Sequence, residues 1–147
     1  MVSSFQLRGQ QIVVHTFPYY IQNAVTALQA KGAIPIVSSQ TPDNIWVNGE
    51  IGAGPRFVGY AQTAASRTGA AYIDHYAYVA EAYDALGQTA VTAFYPVDHT
   101  HTSVAGANVV AQAFVRGLLC GNSALKPKVN SAGQNVPSKQ SALCLVI

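Results

Sequence analysis

The sequence predicts an α/β fold in which amphipathic helices cover both faces of a parallel sheet. Three observations carry this prediction. Apolar residues recur with helical spacing in four stretches. Two short, mainly apolar runs, 33–39 and 70–74, lie between the helical stretches and are typical of strands buried on both faces. The alternation of helix and strand implies parallel strands that are joined by helical crossovers.

The helical stretches have clear limits. The first spans 15–31 and ends at Gly32; the second spans 55–68 and ends at Gly69; the third spans 75–86 and ends at Gly87. Residues 40–55 and 88–101 are predicted loops. The apolar face of the first helix consists of Phe17, Ile21, Ala24, Val25 and Leu28. The last helix is capped by Thr102 or Ser103, and its apolar face consists of Val104, Ala107, Ala111, Phe114 and Leu118.

Two strands are too few for four amphipathic helices. Their apolar stripes require a wider sheet than runs 33–39 and 70–74 supply. Either further strands are hidden in the sequence, or the chain is the later part of a larger α/β domain.

Length and composition restrict the function classes. The 147 residues fit one domain, 1–147, that is long enough to bury a core. Half of the residues are apolar and a tenth are charged, and the net charge of +2 comes from scattered Lys and Arg. We therefore expect no nucleic-acid partner. No apolar run approaches the ~20 residues of a membrane span, so we expect no membrane association, and the start MVSSFQLRGQQ is unlike a signal peptide.

Reactive groups are concentrated at the start of the last helix. Asp98 and His101 are three residues apart on a loop, so the carboxylate can hold one ring nitrogen and leave the other free to accept a proton. This is the base half of a Ser-His-Asp triad. Two alternatives remain: helix capping with solvated side chains, or a metal site in which His99 and His101 join Asp98 or the Asp74–His75 pair.

The two cysteines flank a polar segment rich in Ser, Asn and Pro. A disulfide between Cys120 and Cys144 would tie down the tail, 121–147, and closing such a loop stabilises the fold by about 3.5 kcal/mol. The bond would place the protein in an oxidising compartment. The alternative is two unlinked thiols in a cytosolic protein. A disulfide without a signal peptide indicates that a segment is missing upstream.

The stretch FYPVDHTHTSVAGANVVAQAFVRGLLC resembles the last block of the SGNH (GDSL-type) esterases, in particular the fungal rhamnogalacturonan acetylesterases. The similarity runs from about Val14 to the tail. It implies a three-layer α/β/α sandwich with a five-stranded parallel sheet, Asp98 and His101 as catalytic residues, and His99 as a structural neighbour. It further implies secretion, a Cys120–Cys144 disulfide, an acetylated pectic polysaccharide as substrate, and neither a metal nor an organic cofactor.

The chain departs from the family pattern at the nucleophile. The sequence contains no Gly-Asp-Ser and no Gly-x-Asn followed by Asp, which in this family supply the serine and part of the oxyanion hole. We therefore expect this chain to be the C-terminal portion of the domain. It would lack the N-terminal strands, and it would be inactive alone. Ser38 and Ser39 are expected to be ordinary strand-end hydroxyl groups, whereas Gln40 and Trp46 are expected to border the substrate cleft. The alternative function is a non-catalytic remnant, or a carbohydrate-binding or interaction module.

Overall fold

The computed structural model describes residues 3–136 and Cys144. The strands are β1 (Ser3–Leu7), β2 (Gln10–Val14), β3 (Ile36–Ser38), β4 (Trp46–Val47), β5 (Glu50–Ile51) and β6 (Ala71–Ile73). The helices are α1 (Phe17–Gln29), α2 (Arg56–Thr68), α3 (His75–Leu86), α4 (Gln88–Thr92), α5 (Val104–Cys120) and α6 (Ser131–Gln134), with a 3₁₀ turn at Lys126–Lys128 between the last two.

The two predicted strands pair in parallel, which confirms the predicted crossover. Ile36 lies beside Ala71 and Ser38 lies beside Ile73, and α2 makes the connection between β3 and β6. Within residues 3–136 this parallel sheet is two strands wide. The fold is thus mixed α/β, and the five-stranded sheet of a full three-layer sandwich stays a prediction.

Two antiparallel hairpins were not predicted. β1 pairs with β2 through a turn at Arg8 and Gly9, and β4 pairs with β5 through a turn at Asn48 and Gly49. All four turn residues have positive φ angles, between 50° and 88°. The predicted loop 40–55 therefore contains a short hairpin, and Asn-Gly between two short strands is a known signal for such a turn.

Two cores lie on opposite faces of the parallel pair. The first is formed by α1, α2 and β3 and contains Val25, Val37, Ala61 and Ala65. The second lies between α3, α4 and α5, and its buried residues are Tyr78, Val79, Tyr83, Val91, Tyr95 and Ala113. The alternation of side chains along a strand explains the division. Tyr72, the register partner of Val37, packs with it against the first core, whereas the next residue of β6, Ile73, faces α5.

The predicted apolar face of α1 is only partly covered. Val25 is buried, but Phe17 is 45% exposed and Leu28 is 49% exposed. Phe17 contacts Phe57 and Tyr60 of α2, with ring centroids 5.1 and 6.3 Å apart. The described part of the chain therefore does not supply enough sheet to cover this helix, in agreement with the shortage of strands in the sequence.

One prediction about the later helices was wrong, and a second was only partly confirmed. Residues 88–101 were predicted as a loop, but Gln88–Thr92 form α4 and bury Val91. The apolar face predicted for α5 was misplaced in its first half, because Val104, Ala107 and Ala111 are exposed. In its second half, Leu118 is buried as predicted and Phe114 is half-buried. The other buried residues of α5 are Gly106, Ala113 and Gly117. Close packing causes this difference, because a Cβ atom at Gly117 would lie 2.7 Å from Ile73 Cγ2. In the part that the structure describes, no helix is both long and apolar enough to cross a membrane.

Candidate active site

Asp98 and His101 form a hydrogen-bonded pair on the turn that precedes α5. His101 Nδ1 lies 2.7 Å from Asp98 Oδ2. The other carboxylate oxygen, Oδ1, accepts hydrogen bonds from the main-chain N–H groups of Thr100 and His101, at 2.8 and 2.7 Å. Three contacts therefore fix the carboxylate, and the imidazole side chain is 82% exposed with its Nε2 free of this pair.

The pair holds its two members in complementary charge states. Hydrogen bonds from the His101 main chain and side chain, and from Thr100 N–H, lower the pKa of Asp98 to about 2. The hydrogen bond to Asp98, followed by the charges of Asp98 and Asp43, raises the pKa of His101 above its ordinary 6.5. Asp98 is therefore ionised at neutral pH, and its charge favours the tautomer of His101 that carries its proton on Nδ1.

The base of the turn is closed against the start of α5. The N–H of Ser103 donates to the carbonyl of Phe94 at 2.6 Å, and the Ser103 hydroxyl accepts from Gly106 N–H as the helix cap. Gly106 is in close contact with the turn, since a Cβ atom there would lie 2.8 Å from Phe94 Cβ and 2.9 Å from Thr102 Cβ. A larger residue at position 106 would push the turn away from the helix.

The loop after β3 reaches the Asp98–His101 turn. The main-chain N–H of Asn44 donates to the carbonyl of His99 at 2.8 Å. This contact joins the turn to the loop that follows the carboxyl end of β3, and open α/β sheets place their sites on such loops. Asn44 itself is 7% exposed, and it was not singled out from the sequence.

Trp46 and Gln40 have different environments. The Trp46 indole N–H donates to Asn44 Oδ1 at 2.7 Å, and its ring packs against the second core. Gln40 follows β3 and is exposed. The indole is thus held by the protein along its N–H edge, while contact of either residue with a sugar stays a prediction.

Neither serine at the end of β3 is placed as a nucleophile. Ser39 is buried, its hydroxyl donates to Asp74 Oδ1 at 3.2 Å, and it accepts from Tyr76 N–H at 2.9 Å. The exposed hydroxyl of Ser38 donates to the carbonyl of Ser39 at 3.0 Å. The bonds of Ser39 therefore serve to join β3 to the start of α3, where Asp74 caps the helix.

The sequence also suggested a metal site that includes His75. His75 Nε2 instead bonds to the carbonyl of Val110 on α5 at 2.9 Å, and its ring packs edge-on against Phe114. Burial lowers the pKa of His75 below 6.5. Among the residues with described positions, no three His, Cys, Asp or Glu side chains come together as a ligand set.

The chain end is attached to α5 at two points. Cys120 forms a disulfide with Cys144, with their Cα atoms 5.3 Å apart. One turn earlier, Arg116 donates to the carbonyl of Val136 at 2.6 Å. The rest of the tail, 137–143 and 145–147, lies outside the described residues.

Sequence comparison gives one relative of known name. Over 118 residues the chain is 50% identical to the rhamnogalacturonan acetylesterase of Emericella nidulans. The aligned region makes up 80% of this chain and 48% of the relative, so the chain spans about half of the relative's length. No family model matches the chain. The resemblance read from the sequence is confirmed: over most of its length this chain is a relative of a rhamnogalacturonan acetylesterase.

Proposed function

We propose that the chain supplies the base half of a carbohydrate esterase that removes acetyl groups from a pectic polysaccharide. The observation that carries the proposal is the 2.7 Å contact between Asp98 Oδ2 and His101 Nδ1, which leaves Nε2 facing outward. The relative's name supports an acetyl ester of rhamnogalacturonan as the substrate class. The disulfide supports an extracellular or otherwise oxidising location.

The chemistry assigned to each residue follows from the pair. His101 Nε2 takes the proton of a serine hydroxyl as its oxygen attacks the acetyl carbonyl, and His101 then gives that proton to the leaving sugar hydroxyl. Water, deprotonated by the same nitrogen, releases acetate from the acyl-enzyme. Asp98 stays ionised, orients the ring and stabilises the imidazolium that forms in each step. Neither a metal nor a cofactor takes part in these proposed reaction steps.

The nucleophile belongs to a segment outside these 147 residues. The sequence contains no Gly-Asp-Ser, and the Ser39 hydroxyl is committed to Asp74 and Tyr76. Loss of a serine nucleophile lowers turnover by about a million-fold in a serine hydrolase. We therefore expect no measurable deacetylation by the 147-residue chain alone.

The test restores the missing part. The region of the Emericella nidulans relative outside the aligned 118 residues is joined to this chain, and acetate release from acetylated rhamnogalacturonan is measured. Activity that is lost in His101→Ala and retained in His99→Gln supports the proposal. A well-folded chimera without activity contradicts it, and so does saturable activity of the unmodified chain, whether or not that activity is lost in His101→Ala.

A second candidate is a non-catalytic carbohydrate-binding module. It is favoured by the absence of a serine with a free hydroxyl at the end of β3. Affinity for the polysaccharide that is unchanged in His101→Ala, together with an inactive chimera, would identify this second function.

A further inference from the structure

The hydrogen bonds of Asp98 close its turn on itself but do not attach the turn to the rest of the protein. All three come from Thr100 and His101, within the turn itself. The side chains of both members of the pair are solvent-exposed, so they contribute little packing. The turn is joined to a neighbouring segment through its middle residue, where the carbonyl of His99 accepts the N–H of Asn44 at 2.8 Å.

Asn44 can act as an anchor because its own side chain is held. It is buried, and its Oδ1 accepts the indole N–H of Trp46 at 2.7 Å. A buried amide oxygen that loses its donor carries a cost of about 1–3 kcal/mol. The contact between these two side chains therefore specifies where the Asn44 main chain lies, and with it the carbonyl of His99.

Trp46 is in turn connected to the main body of the fold. It pairs with Ile51 in the β4–β5 hairpin, and the N–H of Ile51 donates to the carboxylate of Asp84 on α3 at 2.7 Å. The indole ring packs against the second core, which contains Tyr83 and Tyr95. A continuous series of contacts thus runs from α3 through the hairpin to the turn of Asp98 and His101.

The charge of Asp43 also indicates that the loop after β3 lies beside the Asp98–His101 pair. The charge of Asp43, the residue before Asn44, contributes to the raised pKa of His101. It also contributes to the raised pKa values of Tyr76 and Tyr95, for which burial is the larger cause. Asp43 and Asp98 are thus the two carboxylates whose charges raise the pKa of His101.

We propose that Asn44 and Trp46 are positioning residues that hold the Asp98–His101 pair through the main chain of His99. The proposal rests on the role of general base proposed above for His101 with Asp98. It gives Trp46 a role different from the sugar contact expected from the sequence. Neither residue touches the reacting atoms. Their effect is to keep the exposed turn from opening locally, because the contact between His101 Nδ1 and Asp98 Oδ2 is lost when the turn opens.

The test measures this geometry in the full chain and does not depend on catalysis. The pKa of His101 is obtained by NMR titration of its ring protons, and the exchange rates of the Thr100 and His101 amides are measured in parallel. Trp46→Phe keeps an aromatic ring but removes the indole donor, and Asn44→Ala removes the acceptor. Ser123→Ala is the matched control, because it removes a buried hydroxyl that accepts the N–H of Leu125, away from the site.

In both site variants we expect the pKa of His101 to fall toward 6.5 and the two amides to exchange about tenfold faster, as the turn opens locally. Ser123→Ala should change neither quantity, even where it lowers the Tm. An unchanged His101 pKa in folded Trp46→Phe and Asn44→Ala would overturn the positioning role alone. An unshifted His101 pKa in the unmodified chain would instead contradict the Asp98–His101 pair on which the proposed function rests.

A second test uses the unmodified chain, so it remains available if the site variants do not fold. Trp46 is the one tryptophan of the sequence, so its indole N–H signal needs no assignment. If Trp46, Asn44 and the turn are connected as proposed, the indole N–H signal shifts as pH is changed. The midpoint of this shift is the same as the midpoint of the His101 titration. An indole signal that stays constant through that midpoint contradicts the proposal.

Discussion

The hydroxyl groups of Tyr83 and Tyr95 lie 3.0 Å apart in the core beneath the Asp98–His101 turn. Tyr83 belongs to α3, whereas Tyr95 begins the segment that leads to Asp98. Burial is the main cause that raises the pKa of both hydroxyl groups, so both remain neutral and each can satisfy the other. This bond links the stability of the second core to the segment that carries the site.

The first prediction concerns this pair. Tyr83→Phe and Tyr95→Phe each leave one buried hydroxyl without its partner, and each should lower the free energy of unfolding by about 1–2 kcal/mol. The double variant should lose less than the sum, because it leaves no unpaired hydroxyl. Urea unfolding of the four proteins measures the coupling. Strictly additive losses would show that the bond contributes nothing.

The second prediction concerns the charge state of the pair. Asp98→Asn removes the carboxylate that raises the pKa of His101, so the NMR midpoint of His101 should fall toward 6.5. In a restored esterase, the unmodified pair should gain activity as pH rises through the raised pKa, because the base must be neutral. His99→Gln is the control, since the contact of His99 with Asn44 uses the main-chain carbonyl, which this substitution keeps. A midpoint that is equal in Asp98→Asn and the unmodified chain argues against the pair.

The third prediction concerns His75 and stability at acid pH. Burial lowers the pKa of His75 in the folded chain, so the unfolded chain binds the proton more readily. Its effect is absent well above pH 6.5, the ordinary pKa. Stability then falls as pH decreases below that value, at most by about 1.4 kcal/mol per pH unit for one proton. His75→Gln keeps a donor for Val110 and should flatten the slope between about pH 7 and pH 5.

The comparison with His75→Gln also cancels the opposite contribution of His101. The raised pKa of His101 favours the folded state below pH 6.5, and this stabilisation is lost as pH rises through the raised value. Both proteins carry it equally. Parallel stability curves for the two proteins would show that His75 does not titrate differently on folding.

The fourth prediction concerns the approach of α5 to the parallel strands. A Cβ atom at Gly117 would lie 2.7 Å from Ile73 Cγ2 and 2.9 Å from Tyr78 Cδ2, so Gly117→Ala should cost about 1–3 kcal/mol. Gly59→Ala is a matched control inside α2, because nothing lies within 4 Å of its Cβ position. That change should stabilise the helix by about 0.5–1 kcal/mol. Thermal unfolding that ranks the two variants in the reverse order would contradict this packing.

The fifth prediction concerns the disulfide. The Cys120→Ala/Cys144→Ala double variant should lose about 3.5 kcal/mol, the loop-closure contribution of a bond that spans 24 positions. A reducing agent should lower the stability of the unmodified chain by a similar amount and leave the double variant unchanged. Equal stability of the oxidised and reduced chains would show that the contacts of the tail, including Arg116 with Val136, suffice without the bond.

Local patterns in the sequence determined much of the fold. The limits of α1, α2 and α3 follow from helical spacing and from the glycines after them, and these limits agree with the structure to within a few residues. The parallel pairing of β3 and β6 follows from the alternation of elements, and the pairing of Cys120 with Cys144 follows from their flanking of one polar segment. Asp98 and His101 are three residues apart, so spacing along the chain alone brings their side chains within reach of each other.

Tertiary structure decided the features that depend on residues far apart in the chain. The buried face of α5 is set by Gly117, which allows the close approach of Ile73 and Tyr78. Apolar periodicity in the sequence does not indicate such an approach. The contact of Asn44 with His99 arises only when the loop after β3 meets the turn before α5. By itself the sequence determined the elements and the reactive pair, because these depend on spacing along the chain. Only the folded chain determined what holds that pair in place, because residue types do not indicate which main-chain groups of distant segments form hydrogen bonds.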